Sequence, residues 1–124
     1  MKKPVILYVD DEPDALKVLA IELEERGFSV LTCGGGSEAL ELLRTNAPDL
    51  IIADLRMRPM TGFDLLQQVK KLPKFATTPF LFHTAVDDYL AEKYGQKLGV
   101  DAYLTKPVDL DKLETVIRNK IKAG

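Results

Sequence analysis

The sequence predicts one α/β domain, built as an open, doubly wound parallel sheet with helices on both faces. Three observations support this. Short strand-like runs, three of them continuously apolar as buried parallel strands are, alternate five times with segments whose apolar residues recur at helical spacing. Five strands are too few for an eight-stranded barrel, so the sheet stays open. A chain of 124 residues has the length of a single domain, spanning 1–124.

The five predicted strands differ in how deeply we expect them to be buried. Three of them are continuously apolar, as strands covered on both faces should be, and they belong at the centre of the sheet. Two carry more polar residues and are expected nearer the edges. In chain order the strands are 5–9, 29–32, 50–53, 80–82 and 101–105, and the two edge candidates are 29–32 and 101–105.

Five amphipathic segments follow the strands and are predicted to be helices. The first is preceded by acidic residues and Pro13, which is typical of a helix start, and Gly27 follows its end, where a left-handed residue often terminates a helix. The last has the clearest pattern, with apolar residues at i, i+3, i+7 and i+11. The predicted helices are 14–26, 37–45, 63–72, 87–98 and 109–122.

Composition excludes several classes of function. The formal net charge of −2 indicates no basic surface for nucleic acid or an anionic membrane. Cys33 is the only cysteine, which excludes a disulfide framework and a multi-cysteine zinc site and fits a reducing compartment. No apolar run approaches the roughly 20 residues that a membrane span needs. We therefore expect a soluble, cytoplasmic protein that binds neither nucleic acid nor membrane directly.

Polar side chains occur where the predicted strands end. Asp10 and Asp11 follow the first strand, Asp54 the third, Thr84 the fourth and Lys106 the fifth. Ligands of such sheets bind at the carboxyl ends of the strands, so we expect these side chains to share one crevice. Carboxylates held close together repel one another, and Mg2+ relieves this with one or two carboxylates, waters and a phosphate.

Each of these residues also has a purely structural interpretation. Asp11 or Glu12, ahead of Pro13, is typical of a helix N-cap, and Thr84 suits a turn. Lys106 alone would be a solvated loop lysine. Taken together, however, carboxylates, a hydroxyl and an ammonium group are the parts needed to place and stabilise a phosphoryl group on a carboxylate nucleophile.

Five short motifs occur in a fixed order along the chain. They are Val9-Asp10-Asp11, Gly-Ser-Glu-Ala-Leu at 36–40, Asp54-Leu-Arg-Met with Gly62 eight residues after the aspartate, Thr84-Ala85, and Lys106-Pro107. In this order and spacing they resemble the receiver domain of response regulators in two-component signalling, over essentially the whole chain. The resemblance implies strand order 2-1-3-4-5 and a signalling function rather than an enzymatic one.

The resemblance also implies a phosphoacceptor and a metal site. Asp54 would accept the phosphoryl group from a phosphohistidine, carried by a sensor histidine kinase or a histidine phosphotransfer protein. Asp11 would bind Mg2+ directly and Asp10 largely through water. Asp54 would contribute a carboxylate oxygen and Arg56 its backbone carbonyl.

Further roles concern the phosphoryl group and the response to it. The hydroxyl of Thr84, the backbone of Ala85 and the ammonium of Lys106 would bind phosphoryl oxygens. Tyr103 falls at the position of the switch aromatic, which moves together with the threonine. We expect a cis bond before Pro107, and Gly62 is expected as a structural glycine of the acceptor loop.

The output implied by the resemblance is a change at the surface of the fourth helix, fifth strand and fifth helix. That surface would bind a downstream protein or an output domain, or would dimerise after phosphorylation of an otherwise monomeric protein. The chain ends just after the fifth helix, which fits either a stand-alone regulator or a receiver cut from a longer protein.

One departure and two alternatives remain. The family usually has Met-Pro-x-Met-Asp-Gly in the acceptor loop, whereas 57–62 reads Met-Arg-Pro-Met-Thr-Gly, which displaces the proline by one residue. Haloacid-dehalogenase-type phosphatases are similar, but their general acid two residues after the nucleophile corresponds here to Arg56. A phosphorylation-independent pseudo-receiver is the other alternative, and the complete set of site residues disfavours it.

Overall fold

The computed structural model describes residues 2–123, which form five strands and five helices in alternation. The strands are β1 (Val5–Val9), β2 (Ser29–Cys33), β3 (Leu50–Ala53), β4 (Phe80–Thr84) and β5 (Ala102–Thr105). The helices are α1 (Pro13–Glu25), α2 (Gly36–Leu42), α3 (Gly62–Lys70), α4 (Tyr89–Leu98) and α5 (Leu110–Ala123), with a 3-10 turn at Pro73–Phe75. None of the helices within these residues is long and apolar enough to cross a membrane.

All neighbouring strands are parallel and their order is β2-β1-β3-β4-β5, which confirms the predicted sheet. The two strands expected at the edges, β2 and β5, lie there. Val9 pairs with Ala53 in the register of β1 and β3, so the residues that follow them, Asp10 and Asp54, become neighbours. Thr84 and Thr105 are paired at the ends of β4 and β5, which brings Lys106 to the same edge.

The core has two apolar layers, one on each face of the sheet, because the central strands are buried on both sides. One layer joins the sheet to α2, α3 and α4, and its largest buried aromatics are Phe80 and Phe82. The other joins it to α1 and α5, and contains Tyr8 and Phe28. Alternate residues of a strand point to opposite faces, so each strand serves both layers.

The two ends of α1 can be compared with the predicted start and end of the first helix. Gly27 has a φ of +98°, as expected of the residue that ends α1. Pro13 is the first residue of α1 and an acid, Glu12, occupies the N-cap position as predicted, but its side chain makes no capping hydrogen bond. Instead, Asp10 Oδ1 accepts the backbone N–H of Glu12 at 3.0 Å. The start of α1 is thus tied to the strand-end carboxylate.

Candidate functional site

A lysine bridges two aspartates at the carboxyl edge of the sheet. Lys106 Nζ donates to Asp10 Oδ2 at 2.8 Å and to Asp54 Oδ2 at 3.2 Å. Both aspartates are buried, and Asp10 is completely inaccessible to solvent. The repulsion expected between these carboxylates is therefore offset by a cation placed between them.

The environment of Lys106 favours its charged form. Burial would lower the pKa of its ammonium group, but the hydrogen bond to Asp10 and the charge of Asp54 outweigh burial and raise that pKa. Its backbone N–H donates to the Thr84 carbonyl at 2.7 Å, and the Lys106–Pro107 bond is cis, as the family resemblance implies. The ammonium group is thus positioned from the end of β5.

The solvent side of the Asp10–Asp54 pair is formed by Asp11 and Arg56. Both side chains are exposed and line a groove along the loop that follows β3. The backbone N–H of Arg56 donates to Asp54 Oδ1 at 3.2 Å, which orients the Asp54 carboxylate. Within residues 2–123, no group of three or more Asp, Glu, His or Cys side chains lies close enough to hold a metal ion by itself.

Thr84 is the last residue of β4, rather than the residue after it, and is completely buried. Its Oγ1 accepts the backbone N–H of Val86 at 3.2 Å. Because a hydroxyl both donates and accepts, its own hydrogen remains available to a second partner. Ala85, whose backbone N–H the family resemblance implies at the phosphoryl site, lies exposed between them.

Tyr103 reaches the same loop from β5. Its hydroxyl donates to the carbonyl oxygen of Val86, and its ring meets Phe82 edge-on with centroids 6.1 Å apart. The peptide units of one residue, Val86, therefore contact both Thr84 and Tyr103. The two predicted switch residues are joined through this short piece of backbone.

Gly62 is required by the close approach of α3 to the acceptor loop. A Cβ at this position would lie 2.3 Å from the carbonyl oxygen of Asp54 and 2.9 Å from Leu55 Cα. Its N–H donates to the Leu55 carbonyl at 3.0 Å. In the same loop the Arg58–Pro59 bond is also cis. The shifted position of this proline was noted from the sequence, but a cis bond there was not predicted.

Sequence reasoning missed Tyr8, which it treated as one apolar residue of a buried strand. The hydroxyl of Tyr8 donates to Asp10 Oδ2 at 2.8 Å. Burial, followed by the negative charge of Asp10, raises the pKa of Tyr8 far above its ordinary value, so the hydroxyl stays a donor. The available signal was a phenol two residues before Asp10, because residues i and i+2 of a strand share a face.

His83 lies beside Tyr8, with ring centroids 6.2 Å apart. It is buried, and its Nδ1 has no hydrogen-bond partner among the residues that the structure describes. Burial, with the charge of Lys106 adding to it, lowers the pKa of His83 to about 4. The imidazole is therefore neutral at physiological pH.

This fold and this strand-end set of carboxylates, hydroxyl and lysine are typical of a class of signalling domains. A family model described as "Response regulator receiver domain" matches residues 6–118. The chain belongs to that family, whose members are signalling domains of response regulators.

Curated relatives agree with this assignment. The chain is 36% identical over 118 residues to the transcriptional regulatory protein GlrR of Escherichia coli, covering 94% of this chain but 26% of that protein. It is 35% identical over 121 residues to the response regulator Rre1 of Synechocystis, covering 96% of this chain and 52% of that protein. The chain thus spans about a quarter to a half of the length of these relatives.

Solved structures show the same fold. A putative response regulator from Chloroflexus aurantiacus superposes with a TM-score of 0.92 at 30% identity, covering 98% of this chain and 99% of that one. The chemotaxis response regulator CheY4 of Vibrio cholerae superposes with a TM-score of 0.88 at 27% identity, covering 96% and 99%.

Proposed function

We propose that this chain is a phospho-accepting receiver and that Asp54 is the phosphoacceptor. An oxygen of the Asp54 carboxylate attacks the phosphorus of a phosphohistidine. The P–N bond breaks, and its electron pair returns to the imidazole nitrogen of the donor. The observation that carries this proposal is the lysine shared by Asp54 and Asp10 at the sheet edge, 3.2 and 2.8 Å from the two carboxylates.

Three groups are placed to bind the transferred phosphoryl group. Lys106 has a third N–H beyond its two present hydrogen bonds, and it can turn from Asp54 to a phosphoryl oxygen. Thr84 can donate the hydrogen of its hydroxyl, and Ala85 its backbone N–H. Catalysis of this kind is mainly positioning and charge neutralisation, which these donors supply.

The oxygen donors of the site fit Mg2+. Carboxylates of Asp10, Asp11 and Asp54 and the backbone carbonyl of Arg56 are hard ligands of the kind this ion prefers. Mg2+ is usually bound by one or two carboxylates together with waters and substrate phosphate, so a complete protein cage is not required. When bound, the ion neutralises charge on the phosphoryl oxygens.

We propose that the output is a change at the surface formed by α4, β5 and α5. Phosphorylation of Asp54 draws the Thr84 hydroxyl toward the new oxygens and away from the Val86 N–H. Because Tyr103 is bonded to the carbonyl of the same residue, it responds to that movement. The unphosphorylated and phosphorylated states therefore differ in the contact between Thr84 and the backbone of Val86. Phosphorylation can shift the population between two states because it interacts differently with each of them.

The partners we propose follow from the family. A sensor histidine kinase or a histidine phosphotransfer protein supplies the phosphoryl group, and a downstream protein or a C-terminal output domain reads the altered surface. In this proposal, residues 1–124 form one receiver domain that acts in the cytoplasm. It is monomeric when unphosphorylated and able to dimerise afterwards.

Phosphorylation by a small donor tests the proposal. With Mg2+ and phosphoramidate, the intact mass should rise by one phosphoryl group, labile in alkali. The Asp54→Asn variant should not be modified, whereas the matched control Asp14→Asn, an exposed aspartate at the start of α1, should behave like the wild type. A folded wild-type protein that binds Mg2+ but gains no phosphoryl group would support the pseudo-receiver alternative instead.

A further inference from the structure

Tyr8 places the only hydroxyl of its strand inside an apolar layer. Its side chain is completely buried among the residues that join the sheet to α1 and α5. A buried hydroxyl without a partner costs free energy, so such a group is retained in a core where it is hydrogen-bonded. The partner here is Asp10 Oδ2, at 2.8 Å.

The Asp10 carboxylate is held by three donors of different mobility. Oδ2 accepts from Tyr8 and from Lys106, and Oδ1 accepts the N–H of Glu12. Each carboxylate oxygen has two lone pairs, so both lone pairs of Oδ2 are engaged and one on Oδ1 remains for a further partner. The orientation of Asp10 is therefore determined largely by the donors on Oδ2.

The two donors on Oδ2 respond differently to phosphorylation. Lys106 is partly exposed, with 23% of its side chain accessible, and the proposed function requires it to turn toward the phosphoryl group. Tyr8, by contrast, is completely buried in the apolar layer between the sheet, α1 and α5, and its ring is held by that packing. When Lys106 leaves, Tyr8 is the donor that stays on Oδ2.

We propose that Tyr8 is a positioning residue of this site, whose hydroxyl fixes the Asp10 carboxylate for Mg2+ binding while Lys106 moves to the phosphoryl group. This inference rests on the proposed function, because it assumes that Asp10 serves a metal site. Partners of this kind, which hold a metal ligand rather than the metal, usually change metal affinity by about 10–100-fold when removed.

The Tyr8→Phe variant tests the inference, since it deletes the hydroxyl and keeps the ring. Mg2+ titration of the full chain, followed by amide shifts in NMR spectra, should give a Kd about tenfold higher than that of the wild type. The rate of phosphorylation by phosphoramidate should fall at low Mg2+ and recover when Mg2+ is raised well above the new Kd. The matched control Tyr89→Phe, which deletes an exposed hydroxyl on α4, should keep the wild-type Kd.

A double-mutant cycle separates positioning from a general loss of stability. If Tyr8 acts through Asp10, Tyr8→Phe should have no further effect on the Mg2+ Kd in an Asp10→Asn background. The same fold-change in both backgrounds would overturn the inference. So would an unchanged Kd for Tyr8→Phe beside a wild type that binds Mg2+. A wild type that does not bind Mg2+ at all would instead overturn the proposed function.

A measurement on the wild type alone keeps the inference testable if the variant does not fold. The hydroxyl proton of Tyr8 should be visible by NMR because burial slows its exchange with water. It should persist after Mg2+ and beryllofluoride are added, since Tyr8 stays bonded to Asp10 in both states. Loss of this resonance on adding beryllofluoride would contradict the inference.

Discussion

His83 shows how a single buried side chain links the site to the pH of the solution. It is 7% exposed, lies next to Thr84 in β4, and is the only histidine of the chain. Its Nδ1 has no partner among the described residues, and burial together with the charge of Lys106 opposes protonation more strongly than the charges of Asp54 and Asp10 favour it. The imidazole must stay neutral for the apolar layer around it to remain intact.

The lowered pKa of His83 predicts a loss of stability in mild acid. In the unfolded chain the His83 imidazole binds a proton at its ordinary pKa near 6.5. In the folded protein it stays neutral until the pH falls to about 4. Between these values the unfolded state holds more protons, so the free energy of unfolding falls as pH falls, by about 3 kcal/mol in total. Urea unfolding at pH 7 and pH 4.5 should show this decrease.

The His83→Leu variant isolates the histidine from the carboxylates that titrate in the same range. Between pH 7 and pH 4.5 it should lose about 2 kcal/mol less stability than the wild type, because its side chain binds no proton and the titration of His83 is largely complete in the unfolded chain over this range. Its stability at pH 7 serves as the internal reference for the altered packing. Parallel stability profiles for the two proteins would show that His83 is not the group responsible.

At the level of elements, the contact between α3 and the acceptor loop depends on one glycine. Gly62→Ala should destabilise the fold by about 2 kcal/mol, because its Cβ would lie 2.3 Å from the Asp54 carbonyl oxygen. The loop must shift to accept it, so phosphorylation of Asp54 should also slow. Urea unfolding and phosphoramidate kinetics measure the two effects.

Gly34→Ala is the matched control for this substitution. A Cβ at Gly34 would meet Glu38 Oε1 at 3.7 Å, which is an ordinary contact, and Gly34 has no positive φ. Its stability and phosphorylation rate should stay close to those of the wild type. If Gly62→Ala were tolerated equally well, the approach of α3 to Asp54 would be looser than the structure shows.

The elements themselves were largely predictable from local patterns. Each strand and helix occurs within a few residues of its expected place, because apolar runs, helical periodicity and Pro13 and Gly27 are local signals. The helix expected over 37–45 ends at Leu42, and residues 43–45 form a turn instead. The cap of α3 by Thr61 and Asp64 went unnoticed, although the threonine precedes the acid by three residues.

The site was predictable in part, for a reason that concerns the sheet as a whole. Asp10, Asp54 and Lys106 meet because the ends of neighbouring parallel strands share one edge, which the order of the elements implies. The bond from Tyr8 to Asp10 was not predicted, since a tyrosine in an apolar strand has the pattern of a core residue. The exposed position of Asp11 depends on how the chain leaves β1, and no periodicity encodes that.

Across the whole molecule, a chain of aromatic contacts connects Tyr103, the proposed switch residue, with α4. The ring of Tyr103 meets Phe82 at 6.1 Å, Phe82 meets Phe63 at 5.4 Å, and Phe63 meets Tyr94 at 4.9 Å, all close to edge-on. These residues come from β5, β4, α3 and α4. A movement of Tyr103 therefore has a packed route to the half-exposed Tyr94 on the proposed output surface.

The Tyr103→Phe variant should disconnect this surface from the acceptor. In the wild type, beryllofluoride at Asp54 should shift amide signals in the loops around the site and also at Tyr94, because Thr84 and Tyr103 are both bonded to Val86. The variant lacks the hydroxyl that senses Val86, so its shifts should stop at the loops. Tyr89→Phe, a control on the same helix, should keep the wild-type pattern. Equal shifts at Tyr94 with and without the Tyr103 hydroxyl would mean that the signal reaches α4 by another path, such as the backbone that leads directly from Thr84 into that helix.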